Sequence, residues 1–116
     1  MDDTIGSGEG EGTYELSAVD EQPQLANQAE VARAFKRNYP PLLRDAGVTG
    51  TVTLRFRVAP GGSVDPECIS VENTTHEAFG EPAQRIVQRM RFRPARVAGE
   101  AVPVWLTLPL TFCIEA

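Results

Sequence analysis

The side chains in this 116-residue chain that are able to do chemistry are few and scattered. There is one histidine, His76, and there are two cysteines, Cys68 and Cys113. A catalytic nucleophile needs a base beside it and a third group to orient that base. His76 follows the turn-like Asn73-Thr74-Thr75, just ahead of a helical stretch, and has no such companion. The spacing of the cysteines matches no zinc pattern, and they make one disulfide or none. Glu72, Glu77 and Glu81 are close in sequence but read as solvated surface. Gly61-Gly62 precedes no helix and so cannot cradle a phosphate. These residue types predict no catalysis, no metal and no cofactor.

What remains is the hydrogen-bonding chemistry of the main chain. From Val102 to Ile114, the residues Val102, Val104, Leu106, Leu108, Leu110 and Phe112 share one parity, and Pro103 and Pro109 share the other. In an antiparallel strand, the N–H and C=O of alternate residues point to the same side. Both prolines therefore lack a donor on one side, and that side cannot be a regular ladder inside a sheet. The strand is predicted to be an edge. Between the prolines, Trp105 and Thr107 are expected to aim free N–H and C=O groups outward, with Trp105 projecting from the face away from the helices as an anchor. Packing of Trp105 against the N-terminal arm is the alternative.

Such an edge must be held by the rest of a small sheet. Val52, Leu54, Phe56 and Val58 alternate with Thr51, Thr53, Arg55 and Arg57, the period-2 pattern of a half-buried strand. Pro60-Gly61-Gly62 supplies a hairpin loop. Val64 and Ile69 differ in parity, so the return strand needs a bulge near Asp65-Pro66 to bring both inward. The inferred order is Val64–Val71, then Thr51–Val58, then Val102–Ile114. Cys68 and Cys113 then stand two strand spacings apart, about 9.6 Å, which is too far for a disulfide.

Two helices are expected to cover one face. The first opens at Asn27, which forms a capping-box pattern with Glu30, and stops at Tyr39-Pro40-Pro41. A short helical segment from Pro41 to Ala46 ends at Gly47, with Leu42 and Leu43 tucked onto the sheet. The second long helix carries the stripe Ala83, Ile86, Val87 and Met90, with Thr75 or Glu81 as N-cap. Arg85, Arg89, Arg91, Arg93 and Arg96 follow without an acidic residue among them. They read as favourable charge at a helix C-terminus, the alternative being guidance of an acidic partner. Tyr14–Val19 makes a short strand or an extended arm.

Length allows one domain. Residues 1–13 read as a flexible acidic, Gly-rich linker and residues 14–116 as the domain. Asp2, Asp3, Glu9 and Glu11 carry four of the net −5 charges. The near-neutral remainder gives no electrostatic case for nucleic acid. No apolar run approaches the roughly 18 residues of a membrane span.

Tyr39-Pro40, Gly47 and Gly50, the strand TVTLRFRV, the turn PGGSVD and the run MRFRPARVAGEAVPVWLTLPLTF together resemble the C-terminal domain of TonB-type energy transducers. The resemblance covers roughly Asn38 to Phe112. Only Tyr-Pro carries over from the family's Gln-Pro-x-Tyr-Pro, since Lys36-Arg37-Asn38 precede it here. The resemblance implies an α+β fold, a three-stranded antiparallel sheet with two helices packed on one face. It implies a periplasmic, non-enzymatic module that captures the N-terminal segment of an outer-membrane TonB-dependent transporter as an added strand. The inner-membrane motor complex would then pull through a membrane helix absent from this chain. The partner-strand site so implied comprises Trp105, Leu106, Thr107 and Leu108, with Tyr39 and Pro40 as a wall. A second reading is a self-associating structural or regulatory domain, a homodimer through the same edge or an edge paired with the Tyr14–Val19 arm.

Overall fold

The computed structural model describes residues 12–113. In chain order the elements are β1 (Gln24–Leu25), α1 (Gln28–Asn38), α2 (Pro41–Asp45), β2 (Gly50–Val58), β3 (Val64–Thr74), α3 (Gly80–Gln88), β4 (Phe92–Arg93), β5 (Ala95–Val97), β6 (Glu100–Val102) and β7 (Val104–Phe112). Short 3₁₀ turns at Leu16–Ala18 and Glu77–Phe79 complete them. The principal sheet has the order β3-β2-β7, both pairs antiparallel. This is the expected α+β architecture. Two small two-stranded ladders, β1-β4 and β5-β6, lie outside it.

Alternation in β2 puts Val52, Leu54, Phe56 and Val58 fully out of solvent, while Thr51, Thr53, Arg55 and Arg57 stay half-exposed on the other face. From β7, Val104, Leu106, Leu110 and Phe112 join the same core. Ala83, Ile86 and Val87 of α3, with Met90 just past its end, close it from above, and Val31 and Ala34 of α1 lie beside them. Each fully buried large apolar side chain here contributes about 1.5–3 kcal/mol. At the Gly50 end of β2, four aromatic rings meet. Phe79 stacks on Phe112 with centroids 4.6 Å apart, and Tyr39 stands edge-on to both at 5.5 and 5.6 Å. Phe35 meets Phe112 at 5.2 Å.

The β2-β3 hairpin turns through Gly62, whose φ of 94° lies where side chains are strained. A Cβ there would fall 2.1 Å from the Phe92 carbonyl oxygen, because Phe92 N–H donates to the Gly62 carbonyl at 2.8 Å. The bulge on β3 is larger than expected. Phe56 pairs with Ile69 and Val58 with Val64, so Asp65, Pro66, Glu67 and Cys68 all stand opposite Arg57 alone. The Asp65 carboxylate closes this loop by accepting from Glu67 N–H at 3.1 Å. A second irregularity lies between Thr53 and Leu54.

Several local expectations need correction. The linker expected over 1–13 falls mostly on residues 1–11, which lie outside the described residues. Thr13 is already held, its hydroxyl accepting from Arg57 Nε at 2.9 Å. Leu42 is 84% exposed and only Leu43 packs on the core, since a five-residue helix turns one flank inward. Asn27 is the N-cap of α1, but its side chain caps nothing there. It donates to Glu30 at 3.0 Å and to the Arg89 carbonyl at 2.8 Å, and accepts from Arg91 N–H at 2.9 Å. Neither Thr75 nor Glu81 caps α3. His76 Nδ1 instead accepts from Ala78 N–H at 3.2 Å and caps the 3₁₀ turn leading into it. The expected strand from Val102 is split, because Pro103 has no donor to continue it and Val102 pairs with Ala95 in the β5-β6 hairpin.

Cys68 and Cys113 lie on opposite edges of the sheet with β2 between them, and no disulfide joins them. Cys68 Sγ approaches the Asp65 carboxylate at 3.6 Å.

Candidate functional site

The nine pairs from Gly50↔Phe112 to Val58↔Val104 run without interruption, so parity is preserved along all of β7. One hydrogen bond fixes which parity faces outward. Trp105 N–H, on the odd parity, donates to the Tyr14 carbonyl at 2.9 Å, on the side away from β2. Thr107, Pro109 and Thr111 therefore also direct their main-chain groups outward, and the missing donors of Pro103 and Pro109 face the same way. Leu106 and Leu108 face inward, and their main-chain groups bond to β2. They hold the strand in place without presenting anything at its edge.

The arm changes what was expected of Trp105. Tyr14 N–H donates to the Pro103 carbonyl at 3.0 Å and the Tyr14 carbonyl takes the Trp105 donor, forming a parallel bridge to Val104. Trp105 N–H is thus engaged within the chain, and the 3₁₀ turn Leu16–Ala18 then carries the arm off the edge. Thr107, exposed and one step further along, retains the outward donor and acceptor with no partner among the described residues.

The far face of the sheet at this point is polar. Trp105 is half-buried beneath the Arg55 guanidinium, whose central carbon lies 4.9 Å from the indole centroid. Such stacking adds about 0.5–1 kcal/mol at an exposed site. Arg55 also pairs with Glu15 of the arm at 2.9 Å, and Arg57 with Asp65 at 3.7 Å.

At the other end of β7, a cavity of about 430 Å³ opens between α1 and the strand. Ala32, Phe35, Lys36 and Tyr39 line it with Arg44, Thr111 and Cys113. Tyr39 is only 7% exposed, and its hydroxyl donates to the Val48 carbonyl, so it forms a fixed wall. Pro40 does not line this cavity. It stands at the N-cap of α2, where its carbonyl accepts from Arg44 N–H at 2.9 Å. Trp105 and Tyr39 thus mark opposite ends of β7, with Thr107 between them.

Of the arginines after α3, Arg91 serves the helix end. Arg91 donates to the carbonyls of Met90 at 2.9 Å and Gln88 at 3.3 Å, satisfying acceptors that a helix C-terminus leaves open. Arg85 pairs with Glu81 one turn back at 2.7 Å.

Sequence reasoning offered the arm on this edge only as an alternative, from the weak alternation at Tyr14–Val19, and did not foresee Glu15 and Thr13 reaching Arg55 and Arg57. No cluster of His, Cys, Asp and Glu able to hold a metal exists among the described residues. No helix among them is long and apolar enough to cross a membrane.

Residues 36–114 match the family described as "Gram-negative bacterial TonB protein C-terminal". Protein tonB2 of Pseudomonas aeruginosa is 36% identical over 75 residues, covering 64% of this chain but only 27% of its own length. The solution NMR structure of the Pseudomonas aeruginosa TonB C-terminal domain superposes with a TM-score of 0.51 at 26% identity, covering 67% of this chain and 78% of that one.

Proposed function

This chain belongs to the TonB protein C-terminal family of Gram-negative bacteria, and on that premise we propose that it is the periplasmic binding module of an energy transducer. Domains of this family are non-enzymatic modules of interaction and energy transduction. In this reading, the open edge of β7 takes the N-terminal segment of an outer-membrane transporter as an additional strand. Pull from an inner-membrane motor, reaching the domain through a membrane helix elsewhere in the protein, passes through that contact to drive nutrient import.

The observation that carries the reading is the outward main chain of Thr107, flanked by Pro103 and Pro109. An exposed edge invites pairing, and the prolines limit how long a strand adds. Added backbone bonds supply affinity, and side chains of the partner meet Trp105 at one end and the Tyr39-walled cavity at the other.

The test is amide shift mapping during titration with peptides from the N-termini of candidate transporters. Shifts centred on Thr107 and its neighbours in β7 are expected. Shifts confined to β3, or none with any transporter peptide, would remove strand capture at this edge.

One observation favours self-pairing as a second reading: Tyr14 already sits on this edge through a parallel bridge to Val104. A concentration-dependent dimer whose interface shifts map to β7 would support it.

A further inference from the structure

We infer that Thr13–Glu15 is a displaceable latch over the partner-strand edge, so that a captured strand must first evict this chain's own arm. The inference rests on the strand-capture reading and adds a regulation of that same site.

The arm divides into two parts with different attachments. From Asp20 to Asn27 it is stitched along the segment leading toward β7. Arg96 exchanges backbone bonds with Glu21 at 3.0 and 3.1 Å, and the Asp20 carboxylate accepts from Ala98 N–H at 2.7 Å. Gln24 and Leu25 pair with Arg93 and Phe92, and Asn27 ties Arg89 and Arg91. Beyond the 3₁₀ turn at Leu16–Ala18, the bonds that Thr13–Glu15 make to other elements among the described residues are few and go to β2, Pro103 and β7. Tyr14 holds Pro103 and Trp105, Glu15 holds Arg55, and Thr13 accepts from Arg57.

Those few contacts cover what an incoming strand would need. Tyr14 uses the Trp105 donor, and Glu15 occupies Arg55, the cation lying over the Trp105 ring. Tyr14 keeps 37% of its surface in solvent and the Glu15 side chain 62%, and neither belongs to the core, so the tip is held at the surface alone. A tip bound this way opens on its own while the stitched part stays in place. The apparent dissociation constant of a partner is then its intrinsic value divided by the fraction of open tips.

The experiment uses the full chain and its double variant Tyr14→Pro/Glu15→Arg. Proline removes the donor to Pro103, and arginine opposes Arg55. Two probes are titrated, a synthetic peptide of residues 12–19 and the transporter peptides above. In the variant, exchange of the Trp105 amide should accelerate at least ~10-fold toward that of Thr107. The 12–19 peptide should shift Trp105 and Thr107 in the variant and leave them unmoved in the intact chain. Transporter peptides should bind the variant ~10-fold more tightly. Glu15→Arg alone, which leaves the backbone unconstrained, should move each readout in the same direction by less.

Unchanged Trp105 exchange in the variant overturns the latch. So does equal binding of the 12–19 peptide by both forms, or a transporter complex in which Glu15 stays on Arg55. Transporter peptides that bind neither form count against strand capture instead, and the 12–19 peptide and the exchange rates then decide the latch independently.

Discussion

The two edges of the principal sheet are built to opposite ends. The β3 edge is irregular: its register with β2 breaks twice, Pro66 sits in a four-residue bulge, and Asp65, Glu67 and Glu72 stud the strand with charge. The residues just ahead of it are also occupied, since Ser63 bridges to Arg91 and Gly62 accepts from Phe92. Bulges, prolines and charges are the ordinary means of keeping an edge from recruiting another strand. The β7 edge has nine pairs in unbroken register and no charged residue between Val104 and Phe112. Among the described residues, only prolines and the tip of the arm restrain it. The lesson is that this fold suppresses one edge permanently and guards the other reversibly.

The sharpest way to break that contrast is to disturb the closed edge at its hairpin. Gly62→Ala drives a methyl group into the Phe92 carbonyl from a strained φ, so a loss of about 3 kcal/mol or more is expected. Urea unfolding reads it directly. A loss below about 1 kcal/mol would mean that the Phe92 contact is not what ties this end of the sheet.

On the open edge, Thr107→Pro should abolish partner binding while the fold survives. It removes the outward donor and leaves the ladder to β2 intact, as Pro109 already does two residues on. A loss of about 100-fold or more in peptide affinity, about 2.8 kcal/mol, is expected by calorimetric titration, with circular dichroism unchanged. Normal binding by this variant would move the site off β7.

Smaller effects sharpen the comparison by showing which charges are indifferent to it. Arg85→Ala removes an exposed i,i+4 pair on α3 and should change stability by less than about 1 kcal/mol. Partner affinity should stay the same. A collapse of affinity would assign the arginines to partner guidance and α3 to the interface.

The smallest change expected is a gain. Ala98 sits at φ 53°, paired with Gly99 at 83° in the two-residue turn from β5 to β6. Ala98→Gly should stabilise by roughly 0.5 kcal/mol, less backbone strain being offset partly by a freer unfolded chain. The thermal midpoint should rise by a few degrees. A fall would show that the bond from its amide to Asp20 depends on the alanine.

Much of this arrangement was legible in the residues because period-2 alternation survives wherever a strand is regular. Leu54, Phe56, Leu106 and Leu110 announced their faces, and the common parity of Pro103 and Pro109 announced an outward side. The bulge at Asp65-Pro66 was visible as a parity conflict, though not its four-residue size, which depends on the Asp65 side chain folding back onto Glu67. Contacts that join distant segments left no such trace. Asn27 had the pattern of a local cap, yet it serves Arg89 and Arg91, more than sixty residues away. Tyr14 makes one bridge, and one bridge has no period. Parity alone places Leu106 and Leu108 on the core face of the strand, opposite Phe56 and Leu54.

The uninterrupted β2-β7 register has a mechanical meaning. A load applied along β7 meets the ladder in shear, where all nine pairs resist together, whereas a load across it would open the pairs one after another like a zip. At the Phe112 end, the stacked rings of Phe79, Phe112 and Tyr39 stand where such opening would begin from that side. The domain should therefore be anisotropic under force, stiff along its last strand and weak across it, and single-molecule pulling from attachment points chosen along or across β7 would register two different rupture forces.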